Sequence, residues 1–319
     1  MAHPAQVRVF APASISNIGP GFDALGMAVA GPGDTVVARR LPGARREDEA
    51  AVRLRGVEGD GGKLPRVAAK NTAGIAAAAV LHMAESDARI ELELYKGMPI
   101  GTGLGSSAAS AAAAACAVNL LLGSPFDAVQ LVVAAVEAEA AVSGRHGDNV
   151  SPSLLGGMVL VRSLDPPDIV RIPVPSSLAV VVVTPELELS TRAARAALPR
   201  QATLSALVRY SANTGALIAA CHSGDLALLG RALDEQIIVP VRAGLIPGAH
   251  QVMAAAVRAG AVGSSISGAG PSIFAFCDGG VASPTAKRVA LAMIGAFRSV
   301  GVGATSIISP ADVPGAHEV

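Results

Sequence analysis

The decisive stretch is PIGTGLGSSAAS, residues 99–110, which stands between a strand-like and a helix-like segment. Just before it, RIELELY (89–95) alternates Ile90, Leu92 and Leu94 with Glu91, Glu93 and Tyr95, the period of a half-buried strand. Behind it, residues 107–122 are mostly alanine, and Gly123 stands where a helix would be capped. Gly101, Gly103 and Gly105 fall at alternate positions, where they can take positive φ and leave backbone N–H groups unhindered. Those N–H groups, together with the positive end of a helix, form a nest for phosphate oxygens. Ser106 and Ser107 sit where that helix starts, so their hydroxyls can cap it, touch a phosphate or ligate Mg2+. No Gly-Lys-Ser/Thr closes the loop, so it is not a Walker A loop. No βαβ unit with an acidic residue follows, which sets aside the Rossmann fingerprint. A Gly/Ser-rich turn can be merely a turn; the density of this pattern and its strand-to-helix position favour the phosphate nest.

Working outward, alternation and β-forming residues predict strands over residues 7–11, 26–30, 34–40 and 51–54, with a turn-rich loop at 12–23. Helices are predicted over 71–84 and, after the alanine helix, over 125–141. GGMVLVR (156–162) reads as a strand, and LDPPD (164–168) as a linker dividing residues 1–163 from 164–319. LAVVVVTP (178–185) is a buried strand. Helices over 203–223, 226–234, 251–259 and 283–299 follow, with a glycine-rich strand-turn-strand at 263–277 and a last strand at 304–309. Strands and helices without regular alternation indicate an α+β fold in two domains. No internal repeat of 20–50 residues is present.

Composition narrows the function classes. The chain has 319 residues, 51% of them hydrophobic and 16% charged, enough for a large core. Aromatics make up 3% with no Trp, so Ala, Val, Leu and Ile must fill it. Basic and acidic residues balance at 25 each, which leaves no basic stripe for nucleic acid. Cys116, Cys221 and Cys277 are widely spaced and odd in number, pointing to reduced thiols in a cytoplasmic protein rather than a disulfide framework or zinc knuckle. The first ten residues lack a signal-peptide pattern, and the alanine-rich run carries Ser110 and Asn119, too short and weakly apolar for a membrane span. No GxSxG elbow of a serine hydrolase occurs. A homodimer is the commonest default for such a chain.

PIGTGLGSSAAS resembles the phosphate-binding motif of the GHMP kinases, the galacto-, homoserine, mevalonate and phosphomevalonate kinases. GSSISGAGPSIFAF (263–276) resembles their third motif, a glycine-rich turn near the nucleotide phosphates. APASISNIGPGFDALGMA (11–28), HGDNVSPSLLGG (146–157), STRAARAALP (190–199) and VPVRAGLIPG (239–248) are similar to segments of the homoserine branch. The resemblance spans nearly the whole chain in order. It implies the two-domain GHMP fold, an N-terminal ribosomal-protein-S5-like domain and a C-terminal ferredoxin-like α+β domain. ATP and the acceptor would bind between the two.

The same resemblance assigns roles. Pro99, Ile100, Gly101, Thr102, Gly103, Leu104, Gly105, Ser106, Ser107, Ala108 and Ala109 would cradle the ATP phosphates, with Gly268 from the third motif. Asn71 matches an asparagine near the adenine. Ser106 and Glu139 would contact Mg2+, with Glu137 as the rival carboxylate. For L-homoserine, Arg195 and Arg242 suit the carboxylate, because a guanidinium fork binds two oxygens at once. Asp23 suits the ammonium. Asn17 and Asp148 would hold the acceptor hydroxyl, with Asn149 beside them, Thr191 near the transferred phosphate and His146 ordering the loop. Ser14-Ile15-Ser16-Asn17 stands where mevalonate and galactose kinases carry a basic residue, so the resemblance implies transfer by metal and geometry without a strong base. Alternatives are another acceptor, L-threonine or a mevalonate-like hydroxy acid, and a sensor that binds without turnover.

Overall fold

A computed structural model describes residues 4–43 and 50–319. In chain order its elements begin with β1 (Gln6–Ser16), β2 (Leu25–Leu41), β3 (Val52–Glu58), a short 3-10 turn (Ala68–Lys70), α1 (Thr72–Met83) and β4 (Arg89–Lys96). Next come α2 (Ser106–Leu121), α3 (Ala128–Ala140), α4 (Val150–Leu155), β5 (Met158–Leu164), β6 (Pro167–Ile172), β7 (Ala179–Pro185) and α5 (Thr191–Ala196). The rest are α6 (Leu204–Ser223), α7 (Leu226–Ala232), α8 (Val239–Ala243), α9 (Ala249–Arg258), β8 (Gly263–Ile266), β9 (Ile273–Cys277), α10 (Pro284–Ser299), β10 (Ala304–Pro310) and β11 (His317–Glu318).

Two sheets result. The first is seven-stranded, in the order β11-β1-β2-β4-β3, with β5 joined to the start of β2 and β6 to β5. Its pairs are antiparallel except β3 with β4. The second is an antiparallel sheet in the order β10-β7-β9-β8. The two expected strands at 26–30 and 34–40 are one continuous strand, β2, whose register against β1 shifts between Pro12 and Ala13.

Side-chain size explains the central packing. In α2, Ala108, Ala109 and the run 111–115 have no exposed surface, and the helix packs against α1, α3, β1 and β2. A helix that is apolar all round must be buried; methyl groups let these neighbours approach it closely. β7 is buried on both faces and divides its residues between two cores: Val180 and Val182 join the larger, while Ala179, Val181 and Val183 join the smaller. β9 does the same, Phe274 and Phe276 facing one core and Ile273, Ala275 and Cys277 the other. The second sheet is therefore a shared wall, with α9 and α10 on its far side.

The expected linker at 164–168 is instead the turn of the β5–β6 hairpin, where Ser163 pairs with Asp168 and Leu164 with Pro167. Consecutive prolines suit a tight reversal as well as a linker. The expected division after residue 163 falls inside β5. We propose that the domains meet in the segment 173–178, where the chain passes from β6 in one sheet to β7 in the other. The last residues return to the first half: Ala316 N–H donates to the Ser153 carbonyl (2.8 Å), and Val319 N–H to that of Arg8 (2.9 Å).

Candidate active site

A cavity of about 590 Å³ lies where loops of the two halves meet. At one end is the glycine-rich loop, and its hydrogen bonding explains what it can do. The carbonyls of Gly101, Thr102, Gly103 and Leu104 accept from Leu189 N–H (3.2 Å), Ser272 N–H (3.1 Å), Ser267 Oγ (2.5 Å) and Ser14 N–H (3.1 Å). Four consecutive carbonyls are thus turned into protein. Among the described residues, none of the N–H groups from Gly101 to Ser106 donates to a protein acceptor. Gly105 is the left-handed cap of α2 at φ 65°, so the loop ends on the positive pole of a helix. A Cβ at Gly103 would lie 2.6 Å from the Ser267 carbonyl oxygen, and one at Gly105 2.3 Å from Ser14 Oγ. Both positions require glycine.

Pro99, Leu104, Ala108 and Ala109 do not line the cavity. Leu104, Ala108 and Ala109 point into the core, and the Ala109 N–H makes the first helical bond to Gly105. Pro99 carries no N–H, and its carbonyl accepts from Thr102 Oγ1 (3.2 Å). Asn71 caps α1 through Ala73 N–H (3.0 Å) and donates to the Pro65 carbonyl (2.9 Å), fixing Leu64 and Pro65 as part of the cavity wall.

Ser106 Oγ and Glu139 Oε1 are buried on the cavity without a hydrogen-bond partner among the described residues. Two orphaned oxygens beside a phosphate nest fit Mg2+, which takes a few protein ligands and fills its octahedron from phosphates and water. The rival Glu137 lies on the surface, paired with Arg145. Beneath the loop, Lys96 and Asp34 form a buried ion pair with side chains 1% and 0% exposed. Lys96 Nζ also donates to the Ser106 carbonyl (2.8 Å) and Ser110 Oγ (2.9 Å), so it clamps the start of α2. Burial lowers the Lys96 pKa, with the Asp34 charge opposing.

The other end of the cavity is made of charged side chains. Arg195 forms a bidentate pair with Asp23, at 2.8 and 3.0 Å. That bond raises the Arg195 pKa. Arg242, 3% exposed, stands on α8 and donates to the Gly268 carbonyl. The helix start is held by Glu235, whose carboxylate accepts from the N–H groups of Ile237, Ile238 and Val239 (2.6, 2.8 and 2.6 Å). Burial lowers the Arg242 pKa. The Nε of both arginines is buried and has no hydrogen-bond partner among the described residues. Two guanidiniums and the carboxylates of Asp23 and Asp148 share this end of the cavity, so it offers both signs of charge to a ligand.

Asn17 braces this end. Its Nδ2 donates to the Gly268 carbonyl (2.9 Å), and its Oδ1 accepts from Asp23 N–H (3.1 Å), leaving one N–H and one lone pair. Asn149 is similarly engaged, accepting from Ser14 Oγ (3.0 Å) and donating to Ser16 Oγ (2.9 Å). Asp148 is 2% exposed, and its Oδ1 has no hydrogen-bond partner among the described residues. Burial, aided by the Asp23 charge, raises its carboxyl to about 6. His146 Nδ1 lies 3.9 Å from Asp148 Oδ1, too far for a hydrogen bond, while its Nε2 is 3.1 Å from the Ser143 carbonyl. Thr191, the first residue of α5, lines the cavity beside Arg195.

Comparison with known proteins gives the family. Residues 71–157 match the model of the GHMP kinases N terminal domain, and residues 217–295 that of the GHMP kinases C terminal. The chain is 43% identical over 302 residues to a homoserine kinase of Chlorobium phaeobacteroides, covering 92% of each. It belongs to the homoserine kinase branch of the GHMP kinases. The Arabidopsis thaliana homoserine kinase is 44% identical over 299 residues, 92% of this chain and 79% of its own. The crystal structure of the Cytophaga hutchinsonii homoserine kinase superposes with a TM-score of 0.93 at 40% identity, over 100% of this chain and 99% of the other. The Leishmania major mevalonate kinase, at 14% identity and a TM-score of 0.68, shares the fold.

Within the GHMP frame, three contributors escaped the motif reading. Lys96 continues the phase of Ile90, Leu92 and Leu94, so alternation alone placed a charge on the buried face. Asp60 organises the loop leading to the cavity wall, accepting from Gly62 N–H, Leu64 N–H and Arg66; the Arg66 guanidinium holds its carboxyl well below the usual range. Phe22, a rare aromatic inside the GPGFD turn, lies beneath both arginines.

Proposed function

We propose that this chain transfers the γ-phosphoryl group of ATP to the side-chain hydroxyl of L-homoserine, giving O-phospho-L-homoserine for threonine biosynthesis. The observation that carries the reading is one cavity with two unlike ends. A nest of unengaged N–H groups faces an Arg195–Arg242–Asp23 set whose charges match a carboxylate and an ammonium. The relatives named homoserine kinases support the same acceptor.

Phosphoryl transfer asks for alignment and charge stabilisation more than covalent chemistry. The loop N–H groups and the start of α2 would hold the nucleotide phosphates. Ser106 Oγ and Glu139 would hold Mg2+, which when bound neutralises charge on the phosphate oxygens. Arg242 and Arg195 would take the acceptor carboxylate, and Asp23, already paired to Arg195, its ammonium. Asp148 presents an unpartnered oxygen to the acceptor hydroxyl, and the remaining Asn17 donor would help orient it. Positioning of this kind contributes roughly 7–11 kcal/mol to a barrier. We further propose a cytoplasmic enzyme and a homodimer; among the described residues no helix is long and apolar enough to cross a membrane.

The test is coupled ADP release from Mg-ATP with L-homoserine, L-threonine, mevalonate and galactose in parallel. Turnover strongest with L-homoserine is the expected result. Preference for another acceptor would overturn the assignment of Asp23, Arg195 and Arg242. ADP release with none of them would point to a chain that binds without turnover.

A further inference from the structure

The guanidinium carbons of Arg195 and Arg242 lie over the ring of Phe22, at 5.3 and 5.2 Å from its centroid. These arginines come from α5 and α8, far apart in sequence, yet a single ring lies beneath both. Like charges repel, and among the described residues only Arg195 of the two is hydrogen-bonded to a carboxylate. The negative face of an aromatic ring attracts each guanidinium without offering an acceptor that would compete for its N–H groups. A carboxylate in place of Phe22 would compete with the ligand for the guanidinium N–H groups; an aliphatic residue would leave the Asp23, Asp148 and Glu235 charges to offset the repulsion without the ring.

The backbone that carries the ring is held in place. Phe22 N–H donates to Tyr210 Oη (2.7 Å), and Thr214 Oγ1 donates to the Pro20 carbonyl (2.6 Å), so one face of α6 grips the turn that carries Phe22 and Asp23. Gly21 N–H closes the turn on the Asn17 carbonyl (2.8 Å). Burial raises the Tyr210 hydroxyl to about 12, which keeps it protonated and neutral at any working pH. The chain has 2 tyrosines and 6 phenylalanines, and one of each meets here.

We propose that Phe22, fixed by Tyr210, is the positioning residue of the acceptor end, setting the two arginines at the separation that receives the acceptor carboxylate. The inference rests on the homoserine reading above. It is tested by steady-state kinetics on the full-length enzyme once the unaltered chain has been shown to phosphorylate L-homoserine; failure at that first step would concern the function and not Phe22. Phe22→Leu retains apolar bulk and deletes the ring face. A desolvated cation–π contact of the usual strength corresponds to a rise of about 10- to 30-fold in KM for L-homoserine. The KM for ATP stays within about twofold, and Phe22→Tyr, which keeps the ring, restores the unaltered value. Tyr210→Phe deletes one hydroxyl from a side chain of the same shape and raises the same KM by about 3- to 10-fold, the loss of one hydrogen bond. An unchanged KM for L-homoserine in Phe22→Leu would overturn the proposal. So would equal losses for ATP and L-homoserine, or failure of Phe22→Tyr to rescue. If Phe22→Leu does not fold, Tyr210→Phe decides alone on the same split.

Discussion

The two ends of the cavity are built from different materials. The phosphate end is backbone: N–H groups from Gly101 to Ser106, carbonyls held from behind by Leu189, Ser272, Ser267 and Ser14, and glycines where no Cβ fits. The acceptor end is side chain: Asp23, Asp148, Arg195 and Arg242, delivered by four separate segments and balanced against one another. Backbone donors recognise an oxyanion of any parentage, which suits a phosphate shared by every member of a superfamily. Charged side chains recognise a particular pattern of charges, which suits the group that distinguishes its branches. Removing material from the two ends should therefore fail in different ways.

The largest effect is expected at the phosphate end. Gly103→Ala places a Cβ against the Ser267 carbonyl at a residue with φ 78°. The loop must shift, and kcat/KM should fall on the order of 10²–10³-fold for every acceptor alike, with ATP binding weakened in a direct titration. Next is Arg242→Ala. Losing a buried cation should raise KM for L-homoserine about 10²-fold while the KM for ATP holds. A matching rise for ATP would break the comparison, because the two ends would then be one.

Asp148→Asn sharpens the contrast between orienting and deprotonating. If Asp148 orients the hydroxyl, kcat falls by roughly 10-fold to 10²-fold, at or below the lower end of general-base effects. Its carboxyl is raised from 3.8 to about 6, so the rate of the unaltered enzyme should decline as pH drops through 6, and that limb should vanish in the variant. Stability runs the other way. Between those pH values the folded chain holds the proton more tightly than the unfolded one, so stability falls as pH rises and remains lower above 6. Asp148→Asn should thus stabilise the fold on the order of 1–3 kcal/mol at pH 8 and far less at pH 4. Thermal melts at the two pH values measure the gap.

The smallest effect is expected from Lys63→Ala. Lys63 pairs with Glu188 beside the cavity wall, with side chains 54% and 64% exposed. Surface pairs contribute little, and Tm should move by less than about 2 °C. A tenfold rise in KM for ATP would show that the phosphate end depends on charged side chains after all.

The glycine-rich loop and its passage into a helix were legible in the sequence because the pattern is local. Twelve consecutive residues carry the loop, its glycines and the helix that follows. The alternation of β4, the alanine-rich α2 and the valine run of β7 are likewise local statements about burial. What the sequence hid is what depends on distance. α5 and α8, with six and five residues, are too short to show a helical period, yet they carry Arg195 and Arg242. The reading of LDPPD as a linker failed because a proline turn looks the same whether it joins domains or closes a hairpin. The Asp23–Arg195 pair and the Phe22 ring beneath both arginines became visible only when segments nearly two hundred residues apart were brought together.

The most direct test of the account is ³¹P NMR of the product formed from Mg-ATP and L-homoserine. With the carboxylate held by the arginines and the hydroxyl facing the phosphate end, the new resonance should be a phosphomonoester coupled to the two protons of one methylene group. An acyl phosphate signal, showing attack by the carboxylate, or no new phosphorus resonance beyond ADP and inorganic phosphate, would contradict it.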